Sequence, residues 1–477
     1  MRGIRKRLRG SYLLNNPDLL VICLGAFVTF LGMGVVLPVR NLYAEQTGSS
    51  PTEIGLMTAA FFGATFLFLL PCGWLTDRFG RKFMLASGLG AHGIIAILYL
   101  VFTNPWVFIG LRFVEGIGAA ALLPAARAYL GDVTAPERRG EAYGAFSAAI
   151  SVGLLIGPGL GSELALFGYP VPFLVSSAMA FLVMALSLAR VDEGRAKDHR
   201  SAEAGEASVG LFDRRLLKPN LWGPMALTFG RNIALGLFNV LWSIWLNDLA
   251  IKQGLSQDVT LSLIGLSYTC FALPQLFFQP LAGRFADRHK RVLLILIPGI
   301  LLGGVYALYG MLTSLPLICL LACVEGTLVS LFQPATDSYL IDVSPDEARG
   351  LVQGLFYAIG MGGGFISAIV TPALYGPGGI HRLYPFVFLA ITTLATTIIG
   401  SAIVARFDPR SNRRPKITRV LPERAVAYSG QPSPAISAVY GLTRPEEHPA
   451  SELLANNNRP TPLAGITSSR NREQHVR

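Results

Sequence analysis

The sequence predicts an all-α polytopic membrane protein of twelve transmembrane helices, arranged as two six-helix bundles in a parallel pseudo-twofold repeat. Three observations carry this. Only 14% of the 477 residues are charged and 52% are hydrophobic, whereas a soluble domain is about one quarter charged. Apolar runs such as 54–75 and 83–111 contain no Asp, Glu, Lys or Arg, and each exceeds the about 20 helical residues that cross a ~30 Å hydrocarbon core. Finally, the chain aligns with itself, without a gap, on a shift of 210 positions.

The spans lie near 17–39, 54–75, 83–103, 105–131, 141–167, 170–190, 220–247, 259–281, 292–313, 315–341, 350–374 and 383–405. The basic start, Arg2 to Arg9, leads into an apolar run too long for a signal-peptide core and without an A-x-A site, so that run reads as the first span. Lys and Arg set the orientation. With the N-terminus inside, the outer loops hold Arg40, Lys252 and Arg382. The inner loops hold Arg78, Arg81, Lys82, Arg138, Arg139, Arg284, Arg288, Lys290, Arg291 and Arg349, with more in the central loop. Both termini are expected in the cytoplasm, of a bacterial inner membrane, with the lipid bilayer around the spans. The net charge of +11 is then topological. Basic residues scattered over inner loops are not one nucleic-acid-binding face, and no nucleic-acid partner is expected. The five cysteines (Cys23, Cys72, Cys270, Cys319, Cys323) fall in spans without a CxxC pair or His cluster. They read as buried thiols, with no metal site.

The 210-residue register pairs Ile54-Gly55-Leu56 with Ile264-Gly265-Leu266, Asp77-Arg78 with Asp287-Arg288, and Arg81 with Arg291. It also pairs Glu115-Gly116 with Glu325-Gly326, Pro124 with Pro334, Tyr129 with Tyr339, and Asp132-Val133 with Asp342-Val343. Runs of matched pairs in one register imply duplication. Six spans per half is an even number, so both copies enter the membrane the same way. The chain therefore divides into a basic cytoplasmic N-terminus (1–16), a first bundle (17–190), a polar cytoplasmic linker (191–219), a second bundle (220–406) and a tail (407–477). The linker has an amphipathic segment near 209–217. The Pro/Asn/Ser/Arg-rich tail has no periodicity and is expected to be disordered.

The loop after the second span reads Gly73-Trp-Leu-Thr-Asp77-Arg78-Phe-Gly80-Arg81-Lys82, and its second-half copy retains Gly283, Asp287, Arg288 and Arg291. It closely resembles the signature loop of the major facilitator superfamily. The resemblance implies the major facilitator fold and a conformational latch between its halves. Gly73 lets helices approach, and Asp77 can face a helix N-terminus. Arg81 and Asp132 are candidate partners, with Arg78, Gly80, Asp287, Arg288 and Arg291 completing the latch. The fourth span, Arg112-Phe-Val-Glu115-Gly116-Ile-Gly118, resembles the family's fourth-helix motif, in which the Arg is linked to proton coupling. The fifth, Gly153-Leu-Leu-Ile-Gly157-Pro158-Gly-Leu-Gly161-Ser162, resembles the antiporter motif, with Ser162 where Gly is usual. Gly-Pro has no counterpart in the second half. Leu37-Pro38 through Tyr43-Ala-Glu is similar to the twelve-helix drug:proton antiporter branch. Together the resemblance spans about residues 15 to 406 and implies transport by alternating access.

In that fold the first, fourth, seventh and tenth spans line the central cavity. On the seventh, Arg231, Phe238, Trp242 and Trp245 fall within roughly 40° of one helical stripe. Gln333 on the tenth joins them as a substrate-cavity candidate. A cation beside aromatics suits an amphipathic organic solute, an anionic one included; the bland alternative is packing, with Trp245 as an interface anchor. Glu115 and Glu325 are symmetry mates, each ~15 Å from the outer helix end. A desolvated carboxyl favours its protonated form, so Glu115, Glu325 or both could carry the driving proton, with Arg112 modulating Glu115. Helix-packing carboxyls are the competing reading. Arg127 and Asp337, also mates, could form an inner gate.

The function expected is proton-coupled efflux of a drug or metabolite, by a monomer without a cofactor, driven by the proton gradient. Its partners would be a small organic substrate and the proton. Import or facilitated diffusion of sugars or organic acids is the alternative, and a non-transporting receptor or scaffold a remoter one. An inert scaffold has no reason to carry Arg112, Arg231, Glu115 and Glu325 in its spans. Enzymatic function is not expected: there is no nucleophile–base pair or metal cluster, and no G-x-x-x-x-G-K-[ST] phosphate loop.

Overall fold

The computed structural model describes residues 17–134, 138–191, 218–288, 290–344, 349–376 and 381–408. The expected basic N-terminus, most of the linker with its segment near 209–217, and the tail from 409 onward lie outside the described residues. Within them the helices are α1 (Pro17–Gln46), α2 (Pro51–Phe79), α3 (Arg81–Val101), α4 (Pro105–Val133), α5 (Arg139–Leu164), α6 (Pro170–Arg190), α7 (Pro219–Val240), α8 (Trp242–Lys252), α9 (Gln257–Arg288), α10 (Arg291–Met311), α11 (Leu315–Val343), α12 (Arg349–Tyr375) and α13 (Tyr384–Phe407). No strand occurs among the described residues. Eleven helices are long and apolar enough to cross a membrane, and α7 with α8, bent by 47°, makes a twelfth span.

The termini of these helices follow from local sequence. The apolar face of α1 continues past Pro38 through buried Val39, Leu42 and Ala44, so the helix continues too. This corrects the first span's edge. Arg40 is not in an outer loop but buried inside α1. The helix stops where the Thr47 hydroxyl donates to the Tyr43 and Ala44 carbonyls and Gly48 turns to φ 97°. The next residues open α2 with a capping box. The Glu53 amide donates to the Ser50 hydroxyl at 3.3 Å, the Ser50 amide donates to the Glu53 carboxylate at 2.7 Å, and Pro51 takes the first turn. Between α2 and α3 a single residue, Gly80 at φ 94°, reverses the chain.

The break after α7 has a visible cause. Asn41 of α1 donates its side-chain amide to the carbonyls of Asn239 (2.6 Å) and Val240 (3.0 Å). A side chain inserted into the helix ladder bends it. Treating residues 220–247 as one continuous helix is therefore corrected: the stripe that links Arg231 to Trp245 crosses a bend.

Packing repeats the duplication. In the first bundle α1 packs on α5 and α6, α2 on α4, and α3 on α4 and α6. In the second, α7 packs on α12 and α13, α9 on α11, and α10 on α11 and α13. The bundles meet through α2 against α12 and α5 against α9. Large apolar side chains such as Leu67, Leu182, Leu301 and Ile391 are exposed on the perimeter, as a surface facing lipid requires. The chain is a multi-pass membrane protein.

Candidate functional site

The cleft between the bundles is closed at one end. Call the terminal side the one where α1 begins and α13 ends. On the opposite side the bundles touch at glycines. A Cβ on Gly55 of α2 would meet the Ala368 carbonyl and Pro372 of α12 at 2.5 Å. One on Gly265 of α9 would meet Ser162 of α5 at 2.7 Å. These contacts are related by the repeat, since Pro372 is the mate of Ser162 and Gly265 of Gly55. Ser162, the departure from the antiporter pattern, is fully buried and sits where glycine faces it. Gln257 adds a hydrogen bond to the Tyr169 hydroxyl across the same side.

Five helical turns toward the termini, on the same helix faces, the bundles part. Gly73 lies on the face of Gly55, Gly144 on that of Ser162, and Gly354 on that of Pro372, each about 18 residues away. A Cβ at Gly73, Gly144 or Gly354 would meet nothing within 4 Å. The expected close approach at Gly73 is therefore corrected for this conformation. The cleft is shut opposite the termini and open toward them.

The polar groups of the cleft lie on α4, α7, α11 and α12. Arg127 donates to the Tyr357 hydroxyl at 2.9 Å, with its guanidinium 4.9 Å from that ring. It crosses the cleft in this way, not by an ion pair with Asp337. Asp337 accepts from the Gln333 side chain one turn away, at 3.1 Å to each oxygen. Arg231 is exposed on α7, within electrostatic reach of Asp337 and Tyr357. Phe238 is partly buried. Trp242 and Trp245 do not line the cleft here: they are 3% and 2% exposed. Both pack edge-to-face on Tyr309, Trp245 also on Phe386, at ring separations of 4.8 to 6.3 Å, and the Trp242 indole donates to Ser267. Sequence spacing located the stripe, but the bend and the neighbouring α10 and α13 turn its outer half into core.

The two symmetry-related carboxyls sit in unlike surroundings. Glu115 accepts from Arg112 at 2.8 Å through Oε2, and its Oε1 lies 3.1 Å from His92 Nδ1. The other His92 nitrogen is 3.1 Å from the Ser176 hydroxyl. Arg112 also lies 4.1 Å over the Phe61 ring. Glu325, 2% exposed, accepts from the Tyr309 hydroxyl at 2.8 Å and has no ion pair among the described residues. His92 was missed by sequence reasoning. A lone His in an apolar run carries no periodic signal, and its partner lies on another helix.

The latch is partly visible. Arg81 donates through Nε to Asp132 at 3.0 Å and through Nη1 to the Thr76 carbonyl at 3.3 Å. Its mate Arg291, 1% exposed, lies 2.8 Å from Asp342, the mate of Asp132. Arg78 points outward onto Trp74 and Phe79. The side chains of Asp77, Asp287 and Arg288 fall outside the described residues. The glycines of the fifth span pack on α1: a Cβ on Gly153 would meet the Phe27 carbonyl at 2.6 Å, and one on Gly157 the Gly34 Cα at 2.7 Å. Gly161 sits against Val35, and Pro158 abuts Gly34.

Comparison with known proteins places this geometry. The family model described as Major Facilitator Superfamily matches residues 22–241 and 233–455. Multidrug resistance protein 2 of Bacillus subtilis is 28% identical over 404 residues, covering 82% of this chain and 96% of that protein. Quinolone resistance protein NorA of Staphylococcus aureus is 24% identical over 397 residues, 80% and 96% of the two chains. Among solved structures, the nucleoside transporter NupG aligns with TM-score 0.66 at 14% identity, over 81% of this chain and 99% of that one. A bacterial homologue of the human lysosomal transporter Spinster, inward-facing and unoccupied, gives 0.65 at 16%, over 81% and 95%. At such identities these structures speak for the fold alone.

Proposed function

The chain belongs to the Major Facilitator Superfamily, and from that premise we propose that it is a proton-driven exporter of small amphipathic organic solutes. It is a secondary transporter, not an enzyme. The single observation that carries the finer reading is the unequal pair of buried carboxyls. A carboxylate deep in a membrane protein needs a cation or a proton. Glu115 has Arg112 and His92; Glu325 has the hydroxyl of Tyr309, whose ring packs against Trp242, Trp245 and Phe386. Glu325 is the group that would carry the driving proton, with Glu115 and Arg112 as a charged counterpart in the other bundle.

Alternating access supplies the cycle. With the cationic loops facing the cytoplasm, the terminal side is the cytoplasmic side, in a bacterial inner membrane. The cleft then opens inward, where Arg231, Gln333, Asp337 and Phe238 would meet substrate. Rocking would part the glycine contacts at Gly55 and Gly265 and bring the faces of Gly73, Gly144 and Gly354 together. The signature loop, with Asp77, Arg78, Gly80, Asp287 and Arg288, would latch that second state. The Arg81–Asp132 and Arg291–Asp342 pairs hold each loop to its own bundle. Arg127 would release Tyr357 or exchange it for Asp337 as the inner end closes. The substrate class is taken from the relatives that bear multidrug and quinolone resistance names. The chain would act as a monomer, with proton and solute as its ligands.

The test is transport in inverted vesicles energised by a proton gradient. A resistance screen of amphipathic compounds in a pump-deficient host supplies the substrate. Uptake into the vesicles, lost in Glu325→Gln, is the expected result. Full proton-driven flux in both Glu325→Gln and Glu115→Gln would sink the proposal. Accumulation by intact cells, instead of resistance, would reverse its direction.

A further inference from the structure

The first bundle holds a second polar cavity, enclosed by α1, α3, α4 and α6 and separate from the cleft residues above. Arg40, Tyr99, His92 and Glu115 line it together with Met33, and it has room for one water-sized guest. Two of its linings are donors without acceptors. Arg40 is 6% exposed, and neither Nε nor Nη2 has a hydrogen-bond partner among the described residues. Tyr99 is 2% exposed, and its hydroxyl is likewise unpartnered.

Counting charge sharpens the anomaly. Both oxygens of Glu115 are engaged, one by Arg112 and one by His92. Arg40 lies within electrostatic reach of Arg112, Glu115, Tyr99 and Tyr268, the last from the other bundle. Two guanidinium groups therefore share one carboxylate, leaving at least one positive charge uncompensated. A buried charge without a partner is strongly unfavourable.

The geometry points to a binding site for one small monovalent anion, chloride in charge and size, between the Arg40 guanidinium and the Tyr99 hydroxyl. Every free polar group there can donate, and the surplus is one positive charge. The small volume excludes an organic anion, and sulfate or phosphate would be too large and too highly charged. Chloride is wider than water. Met33, unbranched and flexible, can yield the difference. Tyr99 is held in place by its rings' contacts with Phe108 (5.3 Å) and Phe173 (5.7 Å), so its hydroxyl is preorganised. The site does not depend on the direction or substrate of transport. It is a ligand of the bundle itself, and its readout is stability.

The experiment is thermal unfolding of the full chain in detergent, in gluconate buffer at constant ionic strength, with chloride titrated in. A saturable rise of the midpoint by a few degrees is expected with chloride and with bromide, and none with sulfate. Y99F keeps the ring and removes one hydrogen bond to the ion; half-saturation should rise about tenfold. R40M should abolish the saturable rise. The inference is overturned if the parent chain shows no chloride-specific rise, if sulfate produces the same rise, or if Y99F responds as the parent does. Should R40M fail to fold, Y99F alone decides.

Discussion

Glu115 and Glu325 occupy equivalent positions in two copies of one ancestral bundle, yet their bonding partners differ: Tyr309 donates to Glu325, while its mate Tyr99 lines the cavity beside Glu115 without bonding it. In the first bundle the carboxylate is one corner of a charged network with Arg112 and His92. In the second, the mate of Arg112 is Ala322, and the carboxyl faces Tyr309 amid Trp242, Trp245 and Phe386. Duplication supplied two identical side chains at one depth. Divergence of their surroundings gave one an ion pair and left the other with a tyrosine hydroxyl. On the proposed reading that inequality separates the group that loads the proton from the group that stays charged.

That contrast can be broken in several places. The largest effect is expected for Glu325→Gln: proton-driven vesicle uptake should fall to background, while Glu115→Gln keeps a measurable part. Equal loss in both would erase the functional difference. Next is Arg112→Met, which removes the 2.8 Å ion pair of Glu115 and leaves the carboxylate to His92 and Arg40; unfolding in detergent should show a loss of about 1.5–3 kcal/mol. Glu325→Gln, with no cation to strand, should change stability by less than about 1 kcal/mol. If R112M is as stable as the parent chain, the first network is not an obligatory pair.

A second comparison runs along one helix face. Gly55→Ala should destabilise the closed end by about 1–3 kcal/mol, since the added methyl has no room. Gly73→Ala should be close to neutral in this state. Distances between spin labels on the two bundles would show the first variant opening opposite the termini and the second unchanged. The same response from both would contradict the diverging helices. A modest effect is expected for Tyr309→Phe, about 1 kcal/mol, read as a drop in unfolding midpoint. No change at all would mean that the hydroxyl is not a partner of Glu325.

Much of this was legible beforehand. The twelve spans were readable because each is a local property: about 20 apolar residues in a row, judged without reference to any other segment. The latch motif offers Arg81 and Asp132 as partners of Asp77; the structure pairs them with each other, and the pairing repeats at Arg291 and Asp342. Arg40 could not be placed. A basic residue just after Leu37-Pro38 reads as a loop, and only the continued burial of Val39, Leu42 and Ala44 shows otherwise. Trp242 and Trp245 were assigned to the cavity by helical spacing, which assumes a straight helix. Asn41, from a span 200 residues away in sequence, supplies the hydrogen bonds at the bend.

By itself, the sequence determined the class of protein, the number of its spans, and the twofold relation between its halves. Hydrophobic length and repeat register are written along one dimension, and the bilayer reads them that way. Only the tertiary structure decided which buried charges are paired, which aromatic residues face the cleft, and at which end the bundles meet. Those are properties of helices brought together from distant parts of the chain. The partner of a buried group is set by the few side chains within hydrogen-bond reach, and neither composition nor periodicity encodes which these are. Glu115 and Glu325 look alike on paper, and the folded chain makes them different groups.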